Sequence, residues 1–429
     1  MTEGPGEAAT GGGSANFRAY YALAALVLGL VAGILAGKLG EAARGHALGV
    51  ASFVGTLWLN ALKMTVIPLV VALLIVGIAR SAEAAQTGRV AGRSVLWIVI
   101  ICTASAVFGA LAALGLTAAF PLPRETAQLL QAALGNVEQA TSGTLPGAAE
   151  FFKGVVPPNV FAAANNGDIL PLTVFSVLFA LALTRIAADG RRIVVALFDA
   201  VADALLVIIA WVLAVAPLGV FALAFTVGAA AGGAAFAGLG HYIAIISAIG
   251  ILVTVAAYPL AAIAGKTSLP TFTRGLIAPQ AVAISTRSSL ASLPAMLASS
   301  GTMGIREEVS DVTLPIAVAL FRATGPAMNV AVAFYVAHWL GLHPTLAQMI
   351  AATAVGAVMS YGAVSLPGEV SYISSIAPIA LALGVPIAPL GLLVAVEMIP
   401  DIFRTVGNVT HDVALASIVD RQARSSPKS

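Results

Sequence analysis

Six apolar runs, opening near Tyr20, Leu48, Ser94, Asn159, Ile193 and His241, each continue to roughly the length of a bilayer crossing or longer. A crossing helix needs about 20 predominantly apolar residues. Few folds survive that pattern. In lipid every backbone N–H and C=O must be satisfied inside the protein, so a chain made of such runs folds as packed helices. Composition points the same way: 59% of the 429 residues are hydrophobic and 9% are charged, with a mean hydropathy of +0.99, whereas soluble domains carry about 25% charged residues. The expected fold is an all-α polytopic membrane protein. A net charge of +2 leaves no electrostatic footprint for nucleic acid. The lone cysteine, Cys102, excludes an internal disulfide and a Cys-based metal cluster. Flanked by Val99, Ile100 and Ile101, it reads as a small buried hydrophobe.

The breaks between runs orient the chain. Arg80, Arg89 and Arg93 follow the second run, Arg185, Arg191 and Arg192 the fourth, and Lys266 and Arg274 the sixth. Basic clusters on alternate sides place these loops and the termini in the cytoplasm. The stretch from Pro121 to Pro158, with Glu125, Glu138 and Glu150, then falls outside. Residues 1–17, rich in Gly, Ala and Thr without a basic start, read as a disordered tail rather than a signal peptide. Residues 421–429 read as a polar tail.

After Lys266 the simple pattern fails. Residues 270–303 are apolar, then small and polar around Arg287, Ser288, Ser289, Ser292 and Pro294, then apolar again. Residues 344–386 repeat the arrangement around Ser360, Gly362, Ser365, Pro367, Gly368 and Glu369. Each reads as a re-entrant helical hairpin, because irregular backbone at membrane depth is tolerated only where protein buries it or water reaches it. Each precedes a further helix, at 312–340 and 387–420. Two interrupted segments in corresponding places of two halves point to a binding site between inverted repeats, as in secondary transporters.

The last helix carries the densest chemistry. Glu397, Asp401, Arg404, Thr405, Asn408 and Asp412 fall within an arc of about 100° on a helix. Charges inside a membrane segment are costly and normally face a bundle interior or a water path. Arg404 keeps its charge and its planar fork matches a carboxylate. Asp401 suits an ammonium group. The alternative is that Arg404 pairs with Asp401 or Asn408 as structural glue. Ser288, Ser289 and Ser292 serve equally as a helix cap or, at a helix N-terminus, as part of an anion site.

With these residues in view the chain resembles the dicarboxylate/amino acid:cation symporter family, the glutamate transporter homologues. Ala61 to Ala79 (ALKMTVIPLVVALLIVGIA) looks like the family's second helix, Val156 to Thr184 its fourth, and Ala216 to Leu223 (APLGVFAL) its fifth. Thr286 to Pro294 (TRSSLASLP) resembles the tip of its first hairpin, and Asp401 to Asp412 (DIFRTVGNVTHD) its eighth helix. The resemblance covers nearly the whole chain. It implies about eight transmembrane helices plus two hairpins, an elevator mechanism and a homotrimer. Scaffold helices would lie in 18–158 (with helix three belonging to the moving domain) and in 159–235; the transport core would occupy 236–420. It implies that Arg404 binds the substrate's side-chain carboxylate and Asp401 its amino group, with Thr405, Asn408, Ser288, Ser289, Leu366 and Gly368 around it. Family members for neutral amino acids usually lack the arginine, and dicarboxylate carriers usually lack the aspartate. Both are present, which favours aspartate or glutamate.

The departures fall on the ion sites. The family's seventh helix normally reads Asn-Met-Asp-Gly-Thr; aligned through Ala323 and Thr324, this chain has Pro326, Ala327, Met328, Asn329 and Val330. Its third helix normally supplies a tyrosine, a threonine and a serine; here Ile98, Ile101 and Cys102 stand there. Sodium, like other hard cations, wants oxygen ligands, so that site is expected to be lost. At the second sodium site Asn408 and Asp412 remain, but Arg322 replaces the family's glycine and is expected to supply a permanent positive charge where sodium would sit and to pair with Asp412. The alternative has Arg322 facing cytoplasmic water. Glu369, Glu397 and His411 are candidate proton carriers, and Thr324 lies beside the same ion site. An acid at Glu369 repels a substrate carboxylate unless it carries a proton. Pro400 is expected to kink the last helix and re-aim Asp401.

The expected activity is secondary transport of an acidic amino acid, proton-coupled or exchanging, with sodium coupling lost or altered and no other cofactor. Rivals are a C4-dicarboxylate carrier, a sodium symporter with a rearranged ion site, and, from another class, an anion channel or transport-dead sensor. No Ser/His pair, metal-ligand cluster or phosphate loop suggests an enzyme. The expected partners are a small acidic solute, the lipid bilayer and two further copies of the chain.

Overall fold

The computed structural model describes residues 11–86, 88–123, 125, 126, 128, 129, 155–361 and 368–425. Among them the chain runs as α1 (Gly11–Ala36), α2 (Glu41–Gln86), α3 (Arg89–Ala119), α4 (Val160–Asn166), α5 (Ile169–Leu183), α6 (Ala188–Ala214), α7 (Ala216–Ala231) and α8 (Ala234–Ile263). It continues as α9 (Leu269–Thr286), α10 (Ser289–Thr302), α11 (Glu307–Leu320), α12 (Thr324–Trp339), α13 (Leu346–Tyr361), α14 (Gly368–Leu383), α15 (Ala388–Leu393) and α16 (Met398–Arg424).

Several boundaries differ from the sequence expectation. The first helix begins at Gly11, inside the stretch read as a tail. The fourth apolar run is two helices, α4 and α5, because Gly167 adopts φ 75° and caps α4 in the left-handed region, which glycine enters without a Cβ clash. The helix expected at 312–340 starts at Glu307 and is broken at 321–323. The helix expected at 387–420 is broken at 394–397 and runs on to Arg424, into the stretch read as a polar tail. The first hairpin is α9 with α10, over 269–302, and in the second segment α13 and α14 pack against each other as the two arms, over 346–361 and 368–383. Each half of the core therefore repeats one motif, a hairpin followed by a broken helix.

Pro400 does not kink its helix. It is the third residue of α16, where the backbone N–H would find no acceptor inside the helix anyway. Pro326 holds the same place in α12. Both prolines follow the breaks rather than bend a continuous rod.

Two groups of helices pack against each other. The α1 helix lies along α7 through small residues: a Cβ on Gly33 would sit 2.2 Å from the Phe225 carbonyl oxygen. The α2 helix packs on α5, α6 and α7, and its Trp58 indole N–H donates to the Val212 carbonyl at 3.0 Å. At 46 residues it extends about 69 Å at ~1.5 Å per residue, over twice the ~30 Å hydrocarbon core, so it must tilt or project from the bilayer. In the other group, α3 lies against α11, α12 and α13, α8 against α16, and both hairpins against α12 or α16. Phe53, Leu57, Leu111, Trp211 and Val255 remain exposed on the long helices, the outer surface that lipid covers in a bilayer.

Candidate functional site

Both broken helices restart at one place, and the first hairpin turns there. The α9 helix ends at Thr286, Arg287 takes φ 51°, and Ser288 caps α10 by accepting from the Ala291 N–H at 3.2 Å. A non-glycine residue in the left-handed region is uncommon and strained; here it turns the hairpin where Arg287 Nη1 lies 3.8 Å from Asp401 Oδ2. Ser292 Oγ donates to the Ser288 carbonyl at 3.0 Å, and Ser288 both caps α10 and lines the site. The α16 helix approaches α12 at Gly407, where a Cβ would meet Thr324 Cγ2 at 2.2 Å. That contact puts the start of α12 on Asn408: its Oδ1 accepts from the Thr324 N–H at 3.0 Å and lies 2.6 Å from the Thr324 hydroxyl.

Between these elements is a polar cavity of ≈ 70 Å³, space for roughly two waters at about 30 Å³ each. Arg287, Arg322, Arg404, Asp401, Tyr372 and Asn329 line it, together with Ser288, Ser289, Thr405 and Asn408. The Arg404 guanidinium is held on three sides: Nη2 is 2.5 Å from Glu397 Oε1, Nη1 donates to Asn329 Oδ1 at 2.6 Å, and Nε is 3.8 Å from Asp401 Oδ1. Glu397 is 3% exposed and its Oε2 accepts from the Tyr242 hydroxyl at 3.1 Å, which lies 3.1 Å from the Tyr372 hydroxyl. Guanidiniums and hydroxyls around the N-terminus of α10 make a receptor for a small anion, and Asp401 adds an acceptor for a cationic group.

The cavity gathers Arg404, Asp401, Thr405, Asn408, Ser288, Ser289 and Arg322. Thr324 lies behind it on Asn408. Arg322 sits in the break at 321–323 and faces the cavity rather than cytoplasmic water. Both oxygens of Asp412, which is 0% exposed, accept no hydrogen bond, so the expected pairing of Arg322 with Asp412 is not a hydrogen-bonded one. His411 stands apart: it is buried against Phe321, with Nδ1 2.9 Å from the Gly407 carbonyl. Leu366 lies outside the described residues, as does the side chain of Glu369, and Gly368 opens α14.

The positions of the expected third-helix sodium ligands are dry. Ile98, Ile101 and Cys102 pack with Phe321, Ala323, Leu415 and Val419 in an apolar cluster. Met328 is fully buried among apolar residues, and Pro326 lies in the first turn of α12. None offers the oxygen ligand a hard cation needs.

Sequence reasoning missed Asn329, Tyr242 and Tyr372 as site residues. Each is a polar group within an apolar run, which in lipid calls for a partner. It also placed the structural and functional readings of Arg404 in opposition, whereas the residue makes internal ion pairs and lines the cavity at once.

The chain matches the model of the sodium:dicarboxylate symporter family over residues 20–422. It is 30% identical over 378 residues to a proton/sodium-glutamate symport protein of Bacillus subtilis, covering 85% of this chain and 84% of that one. It is 26% identical over 408 residues to a proton/glutamate-aspartate symporter of Escherichia coli, covering 94% and 91%. It is 28% identical over 373 residues to a C4-dicarboxylate transport protein of Cupriavidus necator, covering 82% and 81%.

Proposed function

Because the chain belongs to the sodium:dicarboxylate symporter family, we propose that it is a secondary transporter of an acidic amino acid, aspartate or glutamate. The family consists of transporters, not enzymes, and the chain is an integral membrane protein. The observation that carries the substrate reading is the placement of Arg404 and Asp401 together in one enclosed polar cavity. Arg404 takes the side-chain carboxylate, Asp401 the ammonium group, and Thr405, Asn408, Ser288 and Ser289 the remaining polar atoms. Coupling by sodium of the family's usual kind is lost. The apolar packing of Ile98, Ile101, Cys102 and Met328 supports this, and Arg322 supplies a tethered positive charge to Asp412 instead.

The two helix groups support an elevator division of labour. The core of α3 and α8–α16 carries the solute past a scaffold of α1, α2 and α4–α7. The scaffold helix α6 has 11% of its apolar stretch buried within the chain, against 61% for α2. So bare a face is suited to neighbouring subunits, and a homotrimer in the bacterial inner membrane, with both termini cytoplasmic, is the proposed assembly.

Calorimetry of L-aspartate binding to purified protein, in sodium and in sodium-free choline buffer, tests the reading. Equal affinity in both is expected. Affinity that rises steeply with sodium makes the protein a sodium symporter with a rearranged ion site. Succinate binding as tightly as aspartate moves the assignment to the C4-dicarboxylates that the Cupriavidus relative is named for.

A further inference from the structure

Granting that Arg404 anchors the substrate carboxylate, we propose that Glu397 is a built-in competitor for that anchor, displaced by each acidic amino acid that binds and receiving one proton from solution as it leaves.

The geometry starts with a saturated guanidinium. All three Arg404 nitrogens already face acceptors, on Glu397, Asn329 and Asp401. A planar fork binds one carboxylate per edge, so an incoming carboxylate must displace a partner. Glu397 holds the shortest of these contacts, at 2.5 Å. It lies in the turn at 394–397, just ahead of α16, rather than within a helix. Asp401 is already shared with Arg287, and Asn329 is neutral.

A displaced Glu397 has somewhere to go. Its Oε2 is already 3.1 Å from the Tyr242 hydroxyl, which is 3.1 Å from that of Tyr372. While Glu397 is a carboxylate, Tyr242 donates to it and Tyr372 donates to Tyr242. Once Glu397 carries a proton, the chain reverses: the carboxyl donates to Tyr242, and Tyr242 donates to Tyr372. The Tyr372 O–H is then released toward the cavity that Tyr372 lines. Hydroxyls both donate and accept, so the reversal leaves no buried polar group unmatched.

Charge balance requires the proton. In and behind the cavity, the guanidiniums of Arg287, Arg322 and Arg404 face the carboxylates of Glu397, Asp401 and Asp412. The set is formally neutral with every group ionised. An acidic amino acid adds one net negative charge. It takes over the Arg404 contact and leaves the Glu397 carboxylate buried without its countercharge, an arrangement costly in low dielectric. One proton on Glu397 removes that charge. The groups facing Glu397 are Arg404 and Asp401 from α16, Tyr242 from α8 and Tyr372 from α14. Tyr335 and His241 stand behind Tyr242, and Arg287 and Arg322 act through Asp401.

The test is calorimetric titration of sodium-free protein with L-aspartate in phosphate and in Tris, whose ionisation enthalpies differ, from mildly acid to mildly alkaline pH. The wild-type protein is expected to take up about one proton per aspartate bound, with affinity falling about tenfold per pH unit where Glu397 starts ionised. Glu397→Gln is expected to bind without proton uptake and with a flat pH profile, because glutamine never blocks Arg404 with a charge. Tyr242→Phe is expected to move the midpoint of the pH profile while keeping the proton uptake. Wild-type binding without proton uptake overturns the proposal and leaves the Arg404 anchor standing. So does proton uptake that persists in Glu397→Gln, or, should that variant not fold, a Tyr242→Phe profile identical to the wild type. Absence of aspartate and succinate binding at every pH overturns the anchor itself, and this proposal with it.

Discussion

Arg404→Met keeps most of the length and apolar stem of the side chain and deletes its charge. The loss falls mainly on Glu397, because Asp401 retains Arg287 at 3.8 Å. The Glu397 side chain is 4% exposed and that of Arg404 13%, so water screens little of the interaction. Removing one partner of a buried pair strands the other and costs about 3–5 kcal/mol. Glu397→Gln in the same protein removes the stranded charge and keeps an acceptor for Tyr242. The double variant is therefore expected to recover about 2 kcal/mol of the loss, within the ~0.5–3 kcal/mol range of coupling between groups in contact. Reversible unfolding in mixed micelles, measured on the wild type, both single variants and the double variant, gives the four corners of the cycle. The reasoning is refuted if Arg404→Met lies within about 1 kcal/mol of the wild type, well below the cost of stranding a buried charge. It is equally refuted if the double variant is no more stable than Arg404→Met alone.

Two further substitutions separate the roles of the remaining charges. Asp401→Asn is expected to weaken L-aspartate binding about 10- to 100-fold, the ~1.5–3 kcal/mol of a charge-assisted hydrogen bond, and to leave succinate binding equal or tighter; parallel losses for both ligands would remove Asp401 from the ammonium site. Arg322→Gly strands Asp412 and is expected to lower aspartate affinity at least about thirtyfold in choline, roughly 2 kcal/mol, with part of the loss restored by sodium. Unchanged affinity in choline would sink the tethered-charge role of Arg322.

The membrane class, the two interrupted segments and the polar stripe of the last helix were all legible in the sequence, for one reason. Lipid enforces apolarity residue by residue, so each exception is visible where it stands. Arg404 and Asp401 could be singled out on that ground alone, whereas Arg322 stood out only through the resemblance, where it replaces the family's glycine. The breaks at 321–323 and 394–397 were less legible, although Pro326 and Pro400 marked them. A proline three residues into a helix and one that kinks a helix look alike until the start of the helix is known. His411 illustrates what chemistry alone leaves open: its residue type suggested a proton carrier, and its place on α16 packs it against Phe321, which lines the cavity while His411 itself does not.

What the sequence determined by itself is which residues cannot face lipid. Which of them meet one another was decided by tertiary structure. Glu397 and Arg404 lie two turns apart on the same segment, but Tyr242, Asn329, Tyr372 and Arg287 come from four other elements. Hydropathy acts on each residue separately and carries no information about pairing. Pairing depends on how closely two backbones approach, and at Gly407 against Thr324 that approach is set by the absence of a single Cβ.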